Sequence, residues 1–338
     1  MKFIETWFWA FCVASALIGL MMPDLVMPLA DGMKLMLGSI LFFTGLKLDY
    51  SAAWQEIKWP GVVVYGAVVR LVALPLVMYV LAGLVLPAPL AVGVLIVAAM
   101  PSGTACSSLT DVVRGNAALA LVGTVVTSLA CPFVVPWIIE LASGQVAGGG
   151  LPFLLKQAWF LAIVLFVPLG VALLLRRIFP GQVKRRANTW SVMAMVSLFL
   201  LICVALASAS DSFKALVNER PSQAVGLFVF MSVMSAGFHV TGYVMAPWRS
   251  DPDRAALSVN MAYVNNSLAI VFAMEFFQPL EALGDAAVLP AIFLEIPMAL
   301  MLIPLKAWIA RRRSGVGPAA GISFSVDAGT LNEFQQGE

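Results

Sequence analysis

Charged side chains are scarce in this sequence. They make up 11% of the 338 residues, whereas 61% of the residues are hydrophobic. Soluble domains carry about 25% charged residues, so this composition excludes an ordinary soluble domain. The formal net charge is only +2 at pH 7, and nothing in it indicates a nucleic-acid partner. Apolar runs of about 20 residues recur along the chain, as expected of a protein that crosses the lipid bilayer many times.

Histidine and cysteine are also rare, with one histidine and four cysteines. An intramembrane enzyme would need a nucleophile with its base, or a metal cluster. A single histidine and no pair of carboxylates at a common site argue against one. The cysteines lie in apolar segments without metal-ligand spacing, which argues against a metal centre or a disulfide framework. We therefore predict no catalytic residue and no cofactor beyond a coupling ion, sodium or proton. The cysteines are Cys12, Cys106, Cys131 and Cys203.

Hydropathy divides the chain into ten apolar segments, which predict ten membrane-spanning helices. The first segment lacks the basic start and the cleavage site of a signal peptide, so we expect it to be the first helix. An odd number of helices would break the alternation of charge between the loops. The segments cover residues 6–22, 32–47, 60–86, 88–113, 116–143, 151–176, 188–209, 222–247, 254–277 and 285–309.

Basic residues in the predicted loops fall mostly on one side of the membrane. If the N-terminus is cytoplasmic, the outer loops keep only Lys34, Lys156, Lys214 and Arg220. This asymmetry predicts that both termini are cytoplasmic, in the inner membrane of a bacterium. The last stretch, residues 311–338, is rich in glycine and serine and shows no periodicity. It is predicted to be a disordered cytoplasmic tail.

Two of the segments are interrupted by polar residues. The fourth contains AMPSGTACSSLTDVVRGN, and the ninth contains ALSVNMAYVNNSLAIVF. Each is the fourth segment of a half that has five, and a repeat with an odd number of segments is inverted relative to its partner. We therefore predict two inverted repeats, residues 1–147 and 151–310. Interrupted helices at matching positions of inverted halves indicate the binding site of a transporter.

The residue types in the fourth segment explain why its helix should break. Pro101 removes one helical hydrogen bond and clashes with a preceding carbonyl, and Gly103 allows the chain to unwind. Non-helical backbone at membrane depth needs protein or a water-filled cavity to satisfy it. We expect the two breaks to cross, with freed carbonyls for a cation and amides near Thr104 for an anion. Kinks without a function are the alternative, since proline and glycine are common in membrane helices.

The stretches PSGTACSSLTDVVRGNAALALVGTVVTS and ALSVNMAYVNNSLAIVFAM resemble the bile acid:sodium symporter family, in particular its bacterial members. The similarity extends over all ten segments, to about residue 310. The resemblance implies an all-α membrane protein with ten helices in two inverted repeats. It implies a core domain, helices three to five and eight to ten, that contains the two crossing broken helices and moves against a panel domain. Members of the family carry organic anions such as bile acids, steroid sulfates, pantoate and keto acids, usually driven by sodium.

The resemblance also implies roles for individual residues. Asn260 takes the position of a glutamate that two family sodium sites share, and Asn265 takes that of an asparagine near the substrate. The implied ion-site positions are Cys106, Ser107, Thr124, Asn260, Met261 and Tyr263. The implied substrate contacts are Thr104, Asn265, Asn266 and Arg70.

The sequence departs from the family at several ligand positions. Asn260 lacks the charge of the glutamate, and Val264 and Arg70 each replace a glutamine ligand. Pro297 and Met298 stand where bacterial relatives have a His-Asn pair. Two unit charges about 4 Å apart repel by roughly 4 kcal/mol at an effective dielectric constant of about 20. We therefore predict that Arg70 is a tethered cation in the role of sodium and that the second sodium site is lost.

Arg70 lies about midway through its segment, where an arginine must face a partner or a cavity. Two interpretations are open. In one, Arg70 forms a structural ion pair with Glu295 of the last segment. In the other, Arg70 binds the carboxylate or sulfate of the substrate while Glu295 couples transport to protons. His239 matches a family histidine and is either a hydrogen-bonded packing residue or a proton relay.

These observations together predict a secondary transporter that moves a small or medium organic anion by rocking of the core domain against the panel domain. With the sodium ligands replaced, we expect coupling to protons or no coupling. An ordinary sodium-coupled symporter of the family is one alternative. A receptor that binds its ligand without transport is another, because the two broken helices fit it equally well. The sequence leaves the substrate, the direction of transport and the oligomeric state open.

Overall fold

The computed structural model describes residues 8–47, 60–147, 150–281 and 283–313. Within these residues the chain is almost entirely helical, and its β-structure is a single isolated bridge between Ser102 and Val264. An all-α fold follows from the composition, because a helix satisfies its own backbone polar groups where no water is available.

The helices are numbered here in chain order. Those of the first half are α1 (Phe8–Met21), α2 (Pro23–Val26), α3 (Met33–Lys47), α4 (Pro60–Val68), α5 (Leu74–Val85), α6 (Ala88–Ala99), α7 (Cys106–Val112) and α8 (Ala117–Ala147). Those of the second half are α9 (Gly150–Ile178), α10 (Pro180–Arg185), α11 (Ala187–Ser208), α12 (Ser210–Glu219), α13 (Pro221–Val244), α14 (Asp251–Ala262), α15 (Asn266–Phe276), α16 (Leu289–Leu300) and α17 (Leu302–Arg313). Short 3₁₀ helices cover Met27–Gly32 and Gly284–Ala287, and a π-helical turn covers Val69–Ala73.

Seven helical stretches within the described residues are long and apolar enough to cross a membrane. The other three predicted segments are α1, the pair α6 and α7, and the pair α14 and α15, which are shorter or broken. The predicted fold class, a polytopic all-α membrane protein, is therefore confirmed. The inverted relation of the two halves stays a prediction. The seven stretches are Pro23–Lys47, Pro60–Val85, Ala117–Ala142, Gly150–Ile178, Ala187–Ser208, Pro221–Val244 and Gly284–Arg313.

The helices pack into two groups. In the first, α3 lies against α9 and α11, and α11 lies against α1. In the second, α13 packs on α14 and α16, α8 packs on α14, and α6 packs on α5, α15 and α16. The groups meet where α8 touches α9 and where α15 touches α3 and α11. The first group consists of the panel helices and the second of the core helices that the resemblance implies, and both broken segments belong to the core.

The last helix extends further than predicted, because its end is anchored to both broken segments. α17 runs to Arg313, so the predicted tail boundary at residue 311 falls inside this helix. Arg313 Nε donates to Asp251 Oδ2 at 2.6 Å, and its Nη1 donates to the Arg114 carbonyl at 3.1 Å. Burial raises the pKa of Asp251, but hydrogen bonds from Tyr243 and Arg313 outweigh burial and hold that pKa below its ordinary value. Residues 314–338 lie outside the described residues.

Two core helices, α13 and α14, approach each other closely at Gly242. A Cβ atom on Gly242 would lie 2.5 Å from the carbonyl oxygen of Leu257 and 2.6 Å from Cα of Ser258. Both are backbone atoms, which cannot rotate away as a flexible side chain can. The contact therefore requires glycine at this position.

We expect Gly242→Ala to lower the free energy of unfolding by about 1–3 kcal/mol, the usual cost of overpacking a closely packed core. Gly237→Ala is the matched control, because it lies in the same helix and a Cβ atom there meets nothing within 4 Å. Thermal unfolding of both variants in detergent measures the effect. Equal melting temperatures would contradict the prediction and show that the α13–α14 contact relaxes without cost.

Candidate functional site

The first broken segment leaves the helix between α6 and α7. α6 ends at Ala99, Met100 is extended with φ −65° and ψ 150°, and α7 begins at Cys106. Pro101 is the cause, since the residue before a proline is disfavoured in the helical region and the proline has no N–H. Met100 and Pro101 are both buried, so protein surrounds the break as membrane-depth backbone requires.

The second broken segment leaves the helix at residues 263–265, between α14 and α15. It contains no proline. Here the side-chain oxygen of Asn265 accepts a hydrogen bond from the Leu268 amide at 3.2 Å and caps α15. Asparagine is a favoured N-cap because it satisfies one of the free amides at a helix start. Asn265, a predicted substrate contact, thus uses this oxygen to begin a helix.

The two breaks lie against each other, as predicted. The Gly103 amide donates to the Tyr263 carbonyl at 2.7 Å, and the Asn265 amide donates to the Pro101 carbonyl at 2.8 Å. These bonds form an antiparallel bridge centred on Ser102 and Val264. A Cβ atom on Gly103 would lie 3.1 Å from the Val264 carbonyl oxygen, which explains a small residue there. Each break therefore supplies hydrogen-bond partners for the other.

Side chains of α8 and α14 form hydrogen bonds at the crossing. The Ser102 amide donates to Thr127 Oγ1 at 3.2 Å, and Ser102 Oγ donates to the Asn260 carbonyl at 2.8 Å. Thr124 Oγ1 donates to Asn260 Oδ1 at 3.3 Å. Gly123 gives Asn260 room, because a Cβ atom there would lie 2.1 Å from Asn260 Nδ2. Ser102, Gly123 and Thr127 are not among the predicted site residues, although all three lie inside the stretch PSGTACSSLTDVVRGNAALALVGTVVTS.

The predicted ion-site positions offer few free oxygen atoms. Thr124 Oγ1 also lies within hydrogen-bonding distance of the Ala120 carbonyl, at 3.0 Å, and Ser107 Oγ donates to the Ala117 carbonyl at 3.1 Å. The Cys106 thiol points at the Tyr263 carbonyl, 3.3 Å away. Met261 and Tyr263 are buried, and none of the six positions carries a carboxylate. A sodium ion prefers several hard oxygen ligands, and at these positions the hydroxyl of Tyr263 is the buried side-chain oxygen without a hydrogen-bond partner in the described part of the chain.

Arg70 is fully buried beside the first break. Its Nη1 donates to the Ala98 carbonyl at 2.5 Å, at the C-terminal end of α6, and its guanidinium lies 5.5 Å from the centre of the Phe238 ring. Both contacts favour a cation, because a helix C-terminus is partly negative and an aromatic face attracts positive charge. Nε and Nη2 have no hydrogen-bond partner within the described residues.

A π-helical turn places Arg70 there. The Leu74 amide bonds to the Val69 carbonyl five residues back, instead of four. Pro75 explains this turn, since it has no N–H to donate to the Leu71 carbonyl and its ring clashes with that carbonyl. Single π-helical turns occur frequently at functional sites. The turn shifts the register of the segment around Arg70.

The predicted ion pair between Arg70 and Glu295 is not formed. Arg70 bonds to the end of α6, whereas Glu295 Oε1 accepts a hydrogen bond from Asn266 Nδ2 at 2.8 Å. Asn266 Nδ2 also donates to the Ala291 carbonyl at 2.8 Å. Arg70 and Glu295 thus have separate partners, and that interpretation of Arg70 is wrong for this structure. Thr104, another predicted contact, lies half-buried in the turn before α7.

His239 is held by the neighbouring helix α14. Its Nδ1 lies 3.0 Å from Ser258 Oγ, and that hydroxyl donates to the His239 carbonyl at 2.9 Å. Its ring meets the Tyr263 ring edge-on, with 5.5 Å between the ring centres. These contacts agree with the packing interpretation of His239.

A cavity of about 350 Å³ lies between the panel and the core. Panel helices α1 and α11 line one side, and core helices α13, α15 and α16 line the other. Phe213, Phe228 and Phe293 give it apolar walls, and Glu295 is the ionisable residue in its lining. Sequence reasoning missed this cavity, because no local pattern marks a space between two helix groups.

Comparison with known proteins decides the family. The sequence profile of the Sodium Bile acid symporter family matches residues 34–216, which is more than half of the chain. The chain belongs to this family. The recognition made from the two motifs is confirmed, and with it the character of the protein as a membrane transport protein.

Two relatives are similar over most of the chain. A Bacillus subtilis protein described as an uncharacterized sodium-dependent transporter, YocS, is 28% identical over 81% of this chain and 83% of its own length. A rice protein described as a probable chloroplastic sodium/metabolite cotransporter, BASS2, is 23% identical over 84% of this chain and 67% of its own length. Both descriptions name transporters, and neither names an enzyme.

Ser102→Ala tests the crossing. The Asn260 carbonyl receives no helical bond from Val264, whose amide bonds to Ala262 instead, so Ser102 Oγ is the donor it would lose. Leaving a buried carbonyl unpaired costs about 1–3 kcal/mol, and we expect a lower melting temperature in detergent. Ser232→Ala is the control, because Ser232 bonds only to its own helix and is exposed. If Ser102→Ala and Ser232→Ala have the same melting temperature, Ser102 contributes nothing to the stability of the crossing.

Proposed function

We propose that the protein is a secondary carrier of a small organic anion and that Arg70 replaces the coupling sodium ion of its family. The substrate classes it would take are bile-acid-like, keto-acid and pantoate-like carboxylates. The carrier works by alternating access in an inner membrane of bacterial type, with both termini cytoplasmic as the loop charges favour. The observation that carries the proposal is the position of the buried Arg70 guanidinium at the end of α6, beside the crossing.

The position of Arg70 supports the replacement of sodium electrostatically. A sodium ion near the crossing would meet the fixed positive charge of Arg70, at a cost of roughly 4 kcal/mol for a separation of about 4 Å and an effective dielectric constant of about 20. Asn260 and Val264 supply neither a carboxylate nor, for valine, an oxygen to offset that cost. A fixed cation at the crossing instead favours an anion nearby, and Nε and Nη2 of the buried Arg70 have no hydrogen-bond partner among the described residues.

The cavity between panel and core supports alternating access. Its volume of about 350 Å³ is that of a site for an organic molecule. Rocking of the α1 and α11 side against the α13, α15 and α16 side would open it toward one face of the membrane or the other. The crossing remains fixed within the core during this movement, because its bonds lie within core helices.

An ordinary sodium-coupled symporter is the second candidate, favoured by the descriptions of both relatives as sodium transporters. Melting temperatures in sodium and in potassium chloride at equal ionic strength separate the two. A ligand that binds only the folded protein adds about 1.4 kcal/mol at a tenfold excess over its dissociation constant. We expect the wild type to melt alike in both salts.

Arg70→Gln is expected to lower the melting temperature in both salts and to make sodium more stabilising than potassium, because it restores an oxygen and removes the repelling charge. Arg176→Gln is the matched control, since Arg176 also donates to a backbone carbonyl, that of Leu46, away from the crossing. Strong stabilisation of the wild type by sodium would overturn the proposal and establish the ordinary symporter.

Counterflow into proteoliposomes tests the carrier itself. Vesicles loaded with unlabelled taurocholate, pyruvate or pantoate in potassium buffer are diluted into the same labelled compound. We expect transient accumulation of one of them above equilibrium, which a carrier produces and a channel does not. Binding of a compound to the purified protein without counterflow of any would instead indicate a receptor.

A further inference from the structure

We infer that Glu295 is the proton-binding group of this protein and that its protonation sets the state of the cavity between panel and core. The role in transport rests on the proposed carrier function, whereas the binding of a proton at Glu295 does not. The inference is carried by the cavity, by the hydrogen bond to Asn266 and by the absence of a cation beside Glu295 among the described residues.

The surroundings of Glu295 are unusual for a carboxylate. It lies in the middle of α16 and forms part of the wall of the cavity of about 350 Å³. The neighbouring walls are aromatic and aliphatic side chains, among them Phe293, Ile292 and Ile296. An ionised side chain inside a membrane protein normally pairs with an opposite charge or faces water. The surface that lines the cavity is apolar, so nothing around Glu295 in this state compensates a negative charge except the amide of Asn266.

The partner of Glu295 is a neutral amide. Asn266 Nδ2 donates to Oε1 at 2.8 Å, and no salt bridge to Glu295 is present in the described part of the chain. A proton would bind the other carboxylate oxygen and neutralise the group, while the bond from Asn266 to Oε1 is kept. Glu295 can therefore be ionised or protonated while it keeps the same hydrogen-bond partner, Asn266.

Asn266 connects Glu295 to the crossing. It is the first residue of α15 and follows Asn265, whose amide donates to the Pro101 carbonyl of the other break at 2.8 Å. A change at Glu295 therefore acts on the residue where the second half-helix begins. Two hydrogen bonds, Asn266 to Glu295 and Asn265 to Pro101, thus connect the wall of the cavity with the crossing.

Other ionisable groups on the elements packed against α16 have contacts of their own, although His239 Nε2 has no hydrogen-bond partner among the described residues. His239 contacts Ser258, Tyr243 bonds to Asp251, and Glu275 pairs with Lys34. Asp285, in the 3₁₀ helix before α16, accepts hydrogen bonds from Ser212 and Gln278. α17 contributes basic residues, of which Arg313 bonds to Asp251. The described helices α1, α6 and α11 contribute no charged side chain to this region. Helix α12, which contacts α16 through Phe213 and Phe293, carries the exposed Asp211, Lys214 and Glu219.

The two charge states favour two states of the cavity. An ionised Glu295 needs water, so ionisation requires that water enters between the panel and this part of the core. A protonated Glu295 can be covered by apolar side chains at much lower cost. Protonation from one side of the membrane and release to the other would couple the movement of the panel to a proton gradient.

Infrared spectroscopy of the purified wild type, without any ligand and in potassium buffer, tests the binding of the proton. The pH is varied only above the range in which exposed Asp and Glu side chains protonate, about pH 4, and the difference spectrum should still contain the carbonyl stretching band of a protonated carboxylic acid. The band should be lost in Glu295→Gln, which keeps the bond from Asn266, and be kept in Glu275→Gln. A band that survives Glu295→Gln, or a wild type without any such band, overturns the inference.

Labelling of Ala299→Cys, a residue of the cavity wall, tests the effect on the cavity. The rate of labelling by a charged methanethiosulfonate reagent is measured for Ala299→Cys alone and for Ala299→Cys combined with Glu295→Gln. From each rate the labelling of the same protein without Ala299→Cys is subtracted. The ratio of the two corrected rates is then determined at each pH. The pH dependence of the thiol itself cancels in this ratio. We expect the ratio to change several-fold across the infrared transition, and a constant ratio overturns the control of the cavity by Glu295.

The two proposals fail separately. Stabilisation of the wild type by sodium would remove the proposed role of Arg70 and leave the infrared band of Glu295 as it is. Loss of the Glu295 assignment would leave the comparison of Arg70→Gln in sodium and potassium unaffected.

Discussion

Backbone polar groups that leave a helix inside apolar surroundings must find partners in the protein, and this constraint governs the centre of the molecule. The breaks after Ala99 and after Ala262 satisfy it by bonding to each other through Gly103 and Asn265. An unpaired amide or carbonyl in such surroundings costs several kcal/mol. Neither break is therefore stable without the other, and the core helices α6, α8, α14 and α15 have to pack around both at once.

Burial of Arg70 creates a second constraint at the same place. Its guanidinium has one hydrogen bond, to the Ala98 carbonyl, and one aromatic neighbour, Phe238. The end of α6 is available to it because Pro101 stops the helix and leaves carbonyls without helical donors. The break thus has two uses. It provides the crossing, and it provides the partly negative helix end that makes a buried arginine tolerable.

The sequence predicted the elements of this arrangement better than their contacts. Hydropathy predicted the ten apolar segments. Pro101 and the Asn265–Asn266 pair predicted the positions of the two breaks, because proline and helix-capping residues act on the backbone next to them. Of the two open interpretations of Arg70, the ion pair with Glu295 does not form. The direction of Arg70 depends on the π-helical turn Val69–Ala73, which adds a residue that helical periodicity does not reveal. The roles of Ser102 and Thr127 depend on how α8 packs, and the cavity depends on two helix groups that are distant in sequence.

The separation of Arg70 from Glu295 is what gives the two proposed sites independent tasks. An ion pair between them would cancel both charges and join α16 to the segment of Arg70, so that neither group would respond to a substrate or a proton. In the structure Arg70 bonds just before the first break and Glu295 bonds to Asn266 just after the second. The bonds between the breaks join these two places. In the proposed mechanism the fixed crossing therefore holds the anion-attracting group and the proton-binding group in one rigid core, although they never touch.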